Sequence, residues 1–337
     1  MTIPYRTQRV LKRILIALLV LVAVLVAACA CWFLWLQRYI VYTADGKVRL
    51  DFQLAPIAEG EPAVPPETMN VTIRFDDNNE AANKTTELTQ MLGYYVERTD
   101  LQDIDAVISQ ISELPPETAV MIDVKGIKGD FYYSSAISTK RNGSIDAEKM
   151  DELISYLQRT GRYAIARIPA LRDYEYGLNH VPAGVHHSSG GYLYMDDDGC
   201  YWLHPGSQTT LTYLTQIITE LKGLGFDEVV LDDFQFPETT KILVNGDKAE
   251  YLTNAAKVLL SACATDSFAV SFVKSADFTM PQGRTRLYVE GMDALQATTF
   301  AQTSGVPDTA INLVFLTELH DTRFDVFSVM RPLSGAH

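Results

Sequence analysis

The sequence has few cysteines and no metal-binding cysteine motif. Only four cysteines occur among 337 residues, and two of them, Cys29 and Cys31, lie in an apolar segment near the N-terminus. Cys200 and Cys263 remain, and their spacing allows either a disulfide or two buried thiols. Because there is no Cys-x-x-Cys pair and no array of cysteine and histidine, the sequence predicts no metal site and no cofactor.

Basic residues are also scarce, since 28 Lys and Arg stand against 42 Asp and Glu, which gives a net charge of -14. Five of the basic residues fall within the first 40 residues, where no acidic residue occurs. The rest of the chain is therefore even more acidic. Nucleic-acid binding depends on neutralising phosphates with Lys and Arg, so an acidic body without a basic cluster disfavours nucleic acid as a partner.

One long apolar run is present, Ile14 to Leu36, with 23 uncharged residues. A helix of this length crosses a hydrocarbon core of ~30 Å. Four basic residues precede the run and one follows it, which predicts a cytoplasmic segment at residues 1–13, a single-pass signal anchor at 14–36 and an extracytoplasmic body. A cleaved signal peptide and a lipoprotein processing box at Val26–Cys29 are the alternatives, but bulky aromatic residues follow that box.

Residues 37–70 are rich in Pro, Glu and Ala and lack helical periodicity, so they are expected to form a juxtamembrane stalk. Residues 71–337 are long enough for one large α/β domain. Short apolar segments alternate there with helical patterns. The predicted strands are Met91–Val96, Ala119–Val124, Tyr163–Ile168, Glu228–Asp232, Phe268–Val273, Ala297–Phe300, Asn312–Thr317 and, less regularly, Phe324–Val329. The predicted helices are Leu101–Leu114, Ala147–Thr160, Thr209–Leu224 and Ala249–Cys263.

The continuous apolar strands are typical of a parallel sheet that is covered on both faces. No glycine-rich nucleotide-binding motif follows the first strand, which argues against a doubly wound sheet. The alternation therefore predicts a (β/α)8 TIM-type barrel, regular or incomplete, behind the N-terminal transmembrane helix.

Charged residues that follow barrel strands are candidates for an active site, because the C-terminal strand ends form the mouth of such barrels. This rule selects Asp123 and Lys125 after the second strand, and Arg167 at the end of the third, followed by Arg172 and Asp173. It also selects Asp232 and Asp233 at the fourth strand and Glu318 near the last clear one. Asp232 is the strongest candidate, since a charge directly after an apolar strand is costly unless it is paired or solvated in a pocket. The alternative is a structural strand-end carboxylate.

Strand alternation predicts which neighbours share a face. Asp123 and Lys125 have the same parity, so Lys125 is expected to pair with Asp123 in the mouth, with a rim salt bridge as the alternative. Asp233 should point away from Asp232 and have a structural role. Arg167 is suited to orient a carboxylate through a two-pronged bond.

The long third connection, residues 169–208, is rich in aromatic residues. Tyr192 and Trp202 are suited to stack on sugar rings beside the acidic residues 196–198. A subdomain with its own small core is the alternative. The run Asp196–Gly199 begins like a calcium loop but lacks the later bidentate Glu, so we expect a turn.

Four segments resemble the motifs of a known family. They are MIDVKG at 121–126, ARIPALRD at 166–173, WLHP at 202–205 and LGFDEVVLDDFQFP at 224–237. They are similar to a glycoside-hydrolase-like TIM-barrel family of bacterial proteins, catalogued as a domain of unknown function, whose last motif resembles GFDEIQFDYVRFP. The resemblance covers roughly residues 91–317. It implies functional positions at Asp123, Arg167, Asp173, Trp202 and Asp232.

The chain departs from the family pattern at Asp233, Gln235 and His204, where the family has Tyr, Arg and an acidic or amide residue. We expect a membrane-anchored, extracytoplasmic glycoside hydrolase that acts on a cell-wall or extracellular glycan, with Asp232 and Asp123 as the two catalytic carboxyl groups. The residues expected to bind substrate are Arg167, Lys125, Asp173, Trp202, Tyr192 and Glu318. A noncatalytic glycan-binding or envelope-scaffold barrel is the rival interpretation.

Overall fold

The structure, a computed structural model, describes residues 88–275 and 278–335, together with Trp32, Ile40–Tyr42 and Val48–Leu50. The chain divides into two units, Met1–Asp77 and Asn78–His337. In the first unit, Ile40–Tyr42 pairs antiparallel with Val48–Leu50 inside the predicted stalk.

The predicted anchor, residues 14–36, lies outside the described residues except for Trp32. Within the described part of the chain, no helix has the length and apolar character needed to cross a membrane. The anchor therefore stays a prediction from sequence.

Eight parallel strands form a closed barrel in the second unit. They are β1 (Leu92–Val96), β2 (Ala119–Asp123), β3 (Ala164–Pro169), β4 (Glu228–Asp232), β5 (Ala269–Val273), β6 (Leu287–Glu290), β7 (Leu313–Leu316) and β8 (Ser328–Pro332). Each strand pairs with the next in sequence order, and β8 pairs with β1. The predicted TIM-type barrel is confirmed.

Helices follow most of the strands. They are α1 (Ile104–Glu113), α2 (Ala147–Thr160), α3 (Tyr174–Asn179), α4 (Gln208–Gly223), α5 (Lys248–Cys263), α6 (Ala294–Thr303) and α7 (Thr309–Asn312). The longer ones agree with the predicted helices because their ends carry local signals. Asp146, for example, accepts the backbone N–H groups of Glu148 and Lys149 at the start of α2. Gly161 ends that helix with a φ of 66°, a conformation that favours glycine.

The predicted sixth strand was wrong. Residues 297–300 belong to α6, which begins at a capping box: Asp293 accepts backbone N–H groups of Leu295 and Gln296, and the Gln296 side chain accepts the N–H of Asp293. The sixth strand is instead Leu287–Glu290. The last strand lies four residues later than predicted at its start, because Phe324 belongs to a 3-10 turn.

Apolar side chains from alternating strand positions fill one core cluster of the barrel. Its members are Met91, Ala119, Met121, Ile165, Val230, Tyr288, Val314, Leu316 and Met330. In four strands, a charged residue follows two positions after a member of this cluster, so both share one face of the strand. These charged residues are Asp123, Arg167, Asp232 and Glu290, and they therefore lie together at the C-terminal end of the barrel.

The opposite end of the barrel holds a buried polar network around Glu228, the first residue of β4. Glu228 accepts hydrogen bonds from Arg286 Nη1 at 2.5 Å, from Tyr163 Oη at 2.9 Å and from Tyr288 Oη at 3.0 Å. Arg286 also donates to the backbone carbonyls of Thr89 and Ile311. The side chains of Arg286 and Glu228 are 2% and 0% exposed, so this network is closed to solvent and serves as structural support.

Cys200 and Cys263 are both buried, free thiols, which settles the alternatives left open by their spacing.

Candidate active site

Asp123 ends β2, and Arg167 lies two residues before the end of β3, where the strand register pairs the two directly. Arg167 donates from Nε to Asp123 Oδ1 at 2.6 Å and from Nη2 to Oδ2 at 3.3 Å. Burial lowers the pKa of Arg167, but the charge of Asp123 and these hydrogen bonds outweigh it and raise the pKa. Both oxygens of Asp123 are therefore engaged by a permanent cation.

Glu290, at the end of β6, shares the same guanidinium. Arg167 Nη1 donates to Glu290 Oε1 at 3.1 Å. The Glu290 side chain is 48% exposed. Its partial burial and the nearby charge of Asp232 raise its pKa. Glu290 is thus an accessible carboxyl group that retains its proton to higher pH than an ordinary Glu.

Asp232, at the end of β4, has a less satisfied carboxylate than Asp123. Its Oδ1 accepts the backbone N–H of Asp233 at 2.7 Å, and within the described residues no side chain donates a hydrogen bond to it. Burial raises the pKa of Asp232, and the positive charge of Arg167 opposes that effect. The charge of Asp123 also raises the pKa of Asp232, and the charges of Asp232 and Asp123 raise that of Glu290, so several carboxyl groups crowd the mouth.

A cleft of about 530 Å³ opens beside Arg167 and Glu290. It is lined by Tyr95, Arg167, Glu290, Gly291, Met292, Asp293, Leu316, Thr317, Glu318 and Leu319. Its size suits a small ligand or one or two sugar units. The predicted residue Glu318 lines this cleft, although it lies beyond the end of β7.

Sequence reasoning missed Glu290 because it misplaced the sixth strand. The signal was present, since Leu287–Glu290 is a short apolar run that ends in a carboxylate. The run Glu228–Asp232 has the same ending and was recognised. The following helix contains Thr and Phe residues, which favour strands, so the strand was predicted at Ala297–Phe300 instead.

Two predicted substrate-binding residues lie away from solvent. Lys125 Nζ contacts Asp173 Oδ2 at 2.6 Å, and both side chains are buried. Asp173 also accepts from Tyr213 Oη at 2.9 Å and caps α3 through the N–H of Tyr176. The predicted pair of Lys125 with Asp123 was wrong, because β2 ends at Asp123 and strand parity no longer applies at Lys125. Lys125 and Asp173 support the barrel rim.

Trp202 is buried and does not offer an open face for stacking. Its Nε1 donates to Asp196 Oδ2 at 2.9 Å, and Arg172 Nε donates to the same oxygen at 2.7 Å. Arg172 also pairs with Asp198. The N–H of Gly199 donates to the carbonyl of Asp196, so this acidic run is the predicted turn, and Trp202 and Arg172 fix its position.

Tyr192 lies in a different place from the strand-end carboxyls. It is exposed and lines a second cleft, of about 640 Å³, which shares no lining residue with the first. Neither Tyr192 nor Trp202 lines the cleft beside Glu290. Stacking of a sugar ring on Tyr192 stays a prediction.

Asp233 does not point away from the mouth as strand parity predicted. Strand β4 ends at Asp232, and Asp233 adopts a φ of 49°, so the alternation stops there. Burial and the charge of Asp232 raise the pKa of Asp233 to about 6, and the charges of Asp196 and Glu290 add to this effect. Asp233 thus adds a further carboxyl group near Asp232 and Glu290.

No group of three His, Cys, Asp or Glu side chains within residues 88–275 and 278–335 is arranged to hold a metal ion.

Comparison with known proteins identifies one matching family and several solved structures of similar fold. The family is described as "Putative glycosyl hydrolase domain", and its sequence profile matches residues 93–277, more than half of the chain. The comparison with curated protein sequences finds no significant match.

Solved structures resemble the chain at low sequence identity. An α-galactosidase from Lactobacillus brevis has 13% identity and a TM-score of 0.50, over 73% of this chain and 38% of that one. A hypothetical protein from Ruminiclostridium thermocellum has 18% identity and a TM-score of 0.46, over 53% and 96%. The glycoside hydrolase domain of PelA from Pseudomonas aeruginosa has 11% identity and a TM-score of 0.42, over 74% and 97%.

The chain thus spans 38% of the length of the galactosidase, and that likeness shows the barrel fold alone. The sequence profile is the more specific finding, because it covers the strands that end in Asp123, Arg167 and Asp232. The chain belongs to the family of putative glycosyl hydrolase domains.

Proposed function

We propose that this protein is a membrane-anchored glycoside hydrolase that cleaves a cell-wall or other extracytoplasmic glycan, with Asp232 and Glu290 as its two catalytic carboxyl groups. The observation that carries the proposal is a pair of carboxyls of raised pKa at the C-terminal ends of β4 and β6, with Glu290 lining an open cleft. Glycoside hydrolysis requires such a pair, one protonated and one ionised.

Glu290 replaces Asp123 as the second carboxyl because of its hydrogen bonds. One strand lies between β4 and β6, so their backbones are about 10 Å apart perpendicular to the strands. This spacing allows their side chains to reach the separation of two catalytic carboxyls. Strands β2 and β4 have the same separation, so distance does not distinguish Asp123 from Glu290. Both oxygens of Asp123 bind Arg167, whereas Glu290 receives one bond and lines the cleft.

The chemistry assigns a separate task to each residue. Glu290, the more exposed of the pair, donates its proton to the leaving glycosidic oxygen as general acid. Asp232 stays ionised and acts as nucleophile or as base toward water. Arg167 is a positioning residue: it is held by Asp123 and orients Glu290 through its remaining nitrogen.

The membrane location rests on the sequence. Residues 14–36 are uncharged and long enough to span a bilayer, and the basic residues before them favour a cytoplasmic N-terminus. Protease added to spheroplasts should remove the body while leaving the N-terminal segment with the membrane. A body that stays protected after the outer layers are removed would contradict this location.

A glycan panel tests the enzymatic proposal. The full-length protein in mild detergent is incubated with peptidoglycan, chitin oligosaccharides, galactomannan and arabinoxylan, and new reducing ends are measured. We expect the wild type to cleave at least one glycan and Asp232→Asn to lose ~10²-fold or more. Asp266→Asn, which changes an exposed carboxylate in the loop before β5, should cleave normally. Cleavage by Asp232→Asn at the wild-type rate would contradict the proposal, and retention of a glycan without cleavage would favour the scaffold interpretation.

A further inference from the structure

Exposed apolar side chains gather at the second cleft, which we call the tyrosine cleft. Four of its lining residues are Tyr192, Val181, Leu178 and Met195, with exposures of 57%, 51%, 46% and 43%. Tyr194 and Tyr201 also line it. A cluster of large, exposed apolar side chains in a concave part of a protein surface usually marks a binding site.

The ring of Tyr192 is held in place before any ligand arrives. It stacks on the ring of His187 with centroids 4.8 Å apart. Ser189 Oγ donates to Tyr192 Oη at 3.0 Å, and the Ser189 N–H donates to His187 Nδ1 at 3.1 Å. A ligand that stacks on the open face of Tyr192 therefore pays little side-chain entropy.

Two charged side chains lie among the apolar ones, namely Lys241 and Asp197. Within the described residues, neither side chain forms an ion pair or a hydrogen bond, so both are available. One is a donor and the other an acceptor, and a sugar hydroxyl can both accept and donate. An exposed ring with a donor and an acceptor at its side matches a pyranose, which has an apolar C–H face and a rim of hydroxyls.

The tyrosine cleft is connected to the catalytic mouth by one rigid hairpin, residues 195–201. Met195 and Asp197 belong to the cleft, while the intervening Asp196 bonds to Arg172, whose charge acts on Asp233 at the mouth. Lys128 fixes the turn by donating to the carbonyls of Asp198 and Gly199, at 2.6 and 2.9 Å.

We propose that the tyrosine cleft is a second, noncatalytic binding site that stacks a sugar ring of the polymeric substrate on Tyr192. The inference rests on the proposed function, because the occupant is a more distant part of the same glycan. It predicts that the protein binds a polymer more tightly than the catalytic cleft alone would allow.

Affinity electrophoresis tests this directly. Full-length Asp232→Asn protein, which is not expected to digest the gel, is run through native gels containing glycol chitin, galactomannan, arabinoxylan or mixed-linkage glucan. At least one polymer should retard it, and adding Tyr192→Ala should weaken that affinity by roughly tenfold. Tyr192→Phe keeps the ring and should retain most of the affinity. Leu295→Ala, which changes a residue 65% exposed on α6, should leave the affinity unchanged.

Three outcomes would overturn the inference: no retardation by any polymer, equal retardation with and without Tyr192→Ala, or loss of affinity with Leu295→Ala as well. A fourth contrary result is a change in oligomeric state on Tyr192→Ala without glycan retention, which would assign the cleft to a protein partner. Glycan cleavage by Asp232→Asn would contradict the proposed catalytic role alone, because the comparison of Tyr192 variants measures binding.

Discussion

Strand β4 carries a carboxylate at each end of the barrel, and the structure uses the two in different ways. Glu228 and Asp232 share one face of the strand and lie about 13 Å apart along it. Glu228 is fully buried and receives hydrogen bonds from one arginine and two tyrosines. Asp232 is partly buried and receives one hydrogen bond, from the backbone of Asp233.

The contrast shows that the surroundings of a carboxylate, and not its place in a strand, decide its role. A fully buried charge without partners would cost several kcal/mol, so Glu228 is compensated by protein groups. A catalytic carboxylate must instead keep hydrogen-bonding capacity for the substrate and for the proton that moves. Asp232 has that capacity at the end of the barrel where (β/α)8-barrel enzymes place their chemistry.

The largest expected effect is at the buried end. Arg286→Met leaves Glu228 without its cation and should lower the free energy of unfolding by about 3–5 kcal/mol. Urea unfolding followed by fluorescence measures it. The double variant Arg286→Met/Glu228→Gln removes both charges and should recover part of the loss. If Arg286→Met unfolds at the same urea midpoint as the wild type, the network does not contribute to stability as proposed.

At the mouth, Glu290→Gln tests the general acid. Glu290 must be protonated to donate, and its raised pKa extends the protonated form to higher pH, so activity should fall on the alkaline side as that proton is lost. Glu290→Gln should reduce kcat by about 10²–10⁴-fold on a glycan with a poor leaving group and should remove that alkaline limb. Measurements of kcat/KM from pH 4 to pH 9 check both effects. An unchanged limb would assign the acid to another residue.

Asp123→Asn sharpens the comparison, since Asp123 is charged and lies at the mouth but has a full set of partners. The change weakens the two-pronged bond to Arg167 and leaves the bond from Arg167 to Glu290. We expect a loss of activity on the order of tenfold, the effect of one weakened charge-assisted contact. A loss as large as that of Asp232→Asn would restore Asp123 to the catalytic pair.

The smallest effect concerns Asp233 and the pH dependence of stability. Its pKa rises from 3.8 to about 6 in the folded protein because of burial, Asp232, Asp196 and Glu290, against the opposing charge of Arg172. The folded state therefore binds this proton more tightly than the unfolded state, and the contribution of Asp233 to stability falls as pH rises through that interval. The free energy of unfolding of Asp233→Asn, taken relative to that of the wild type, should therefore be about 1–2 kcal/mol higher at pH 7 than at pH 4. Thermal melts of the variant and the wild type at pH 4 and pH 7 check this difference. The same change in melting temperature at both pH values would contradict it.

Much of the fold was predictable because its signals are local. The barrel followed from apolar runs of strand length alternating with capped helices, and the ends of Ala147–Thr160 and Glu228–Asp232 were predicted to the residue. The sixth strand was missed because its apolar run, Leu287–Val289, is only three residues long and the next helix contains Thr-Thr-Phe. Missing that strand also removed Glu290 from the candidate site.

The candidate site was predictable only as far as each residue ends a strand. Asp123, Arg167 and Asp232 meet at the mouth as expected, since strand ends converge there. The partners of Lys125 and Trp202 were not predictable, because Asp173 and Asp196 reach them through the folding of the long third connection. The alternation of side chains along a strand also failed to predict the direction of Asp233, because its backbone has a positive φ and no longer follows the strand.

The most direct test of the division along β4 measures stability and turnover together for two matched variants, Glu228→Gln and Asp232→Asn. Each change removes one negative charge and keeps the shape of the side chain. The account predicts that Glu228→Gln lowers the melting temperature while the folded fraction keeps its kcat, whereas Asp232→Asn keeps or raises the melting temperature and loses activity. If Asp232→Asn unfolds the protein, or if Glu228→Gln abolishes turnover in a protein that remains folded, the division of roles between the two ends of the strand is wrong.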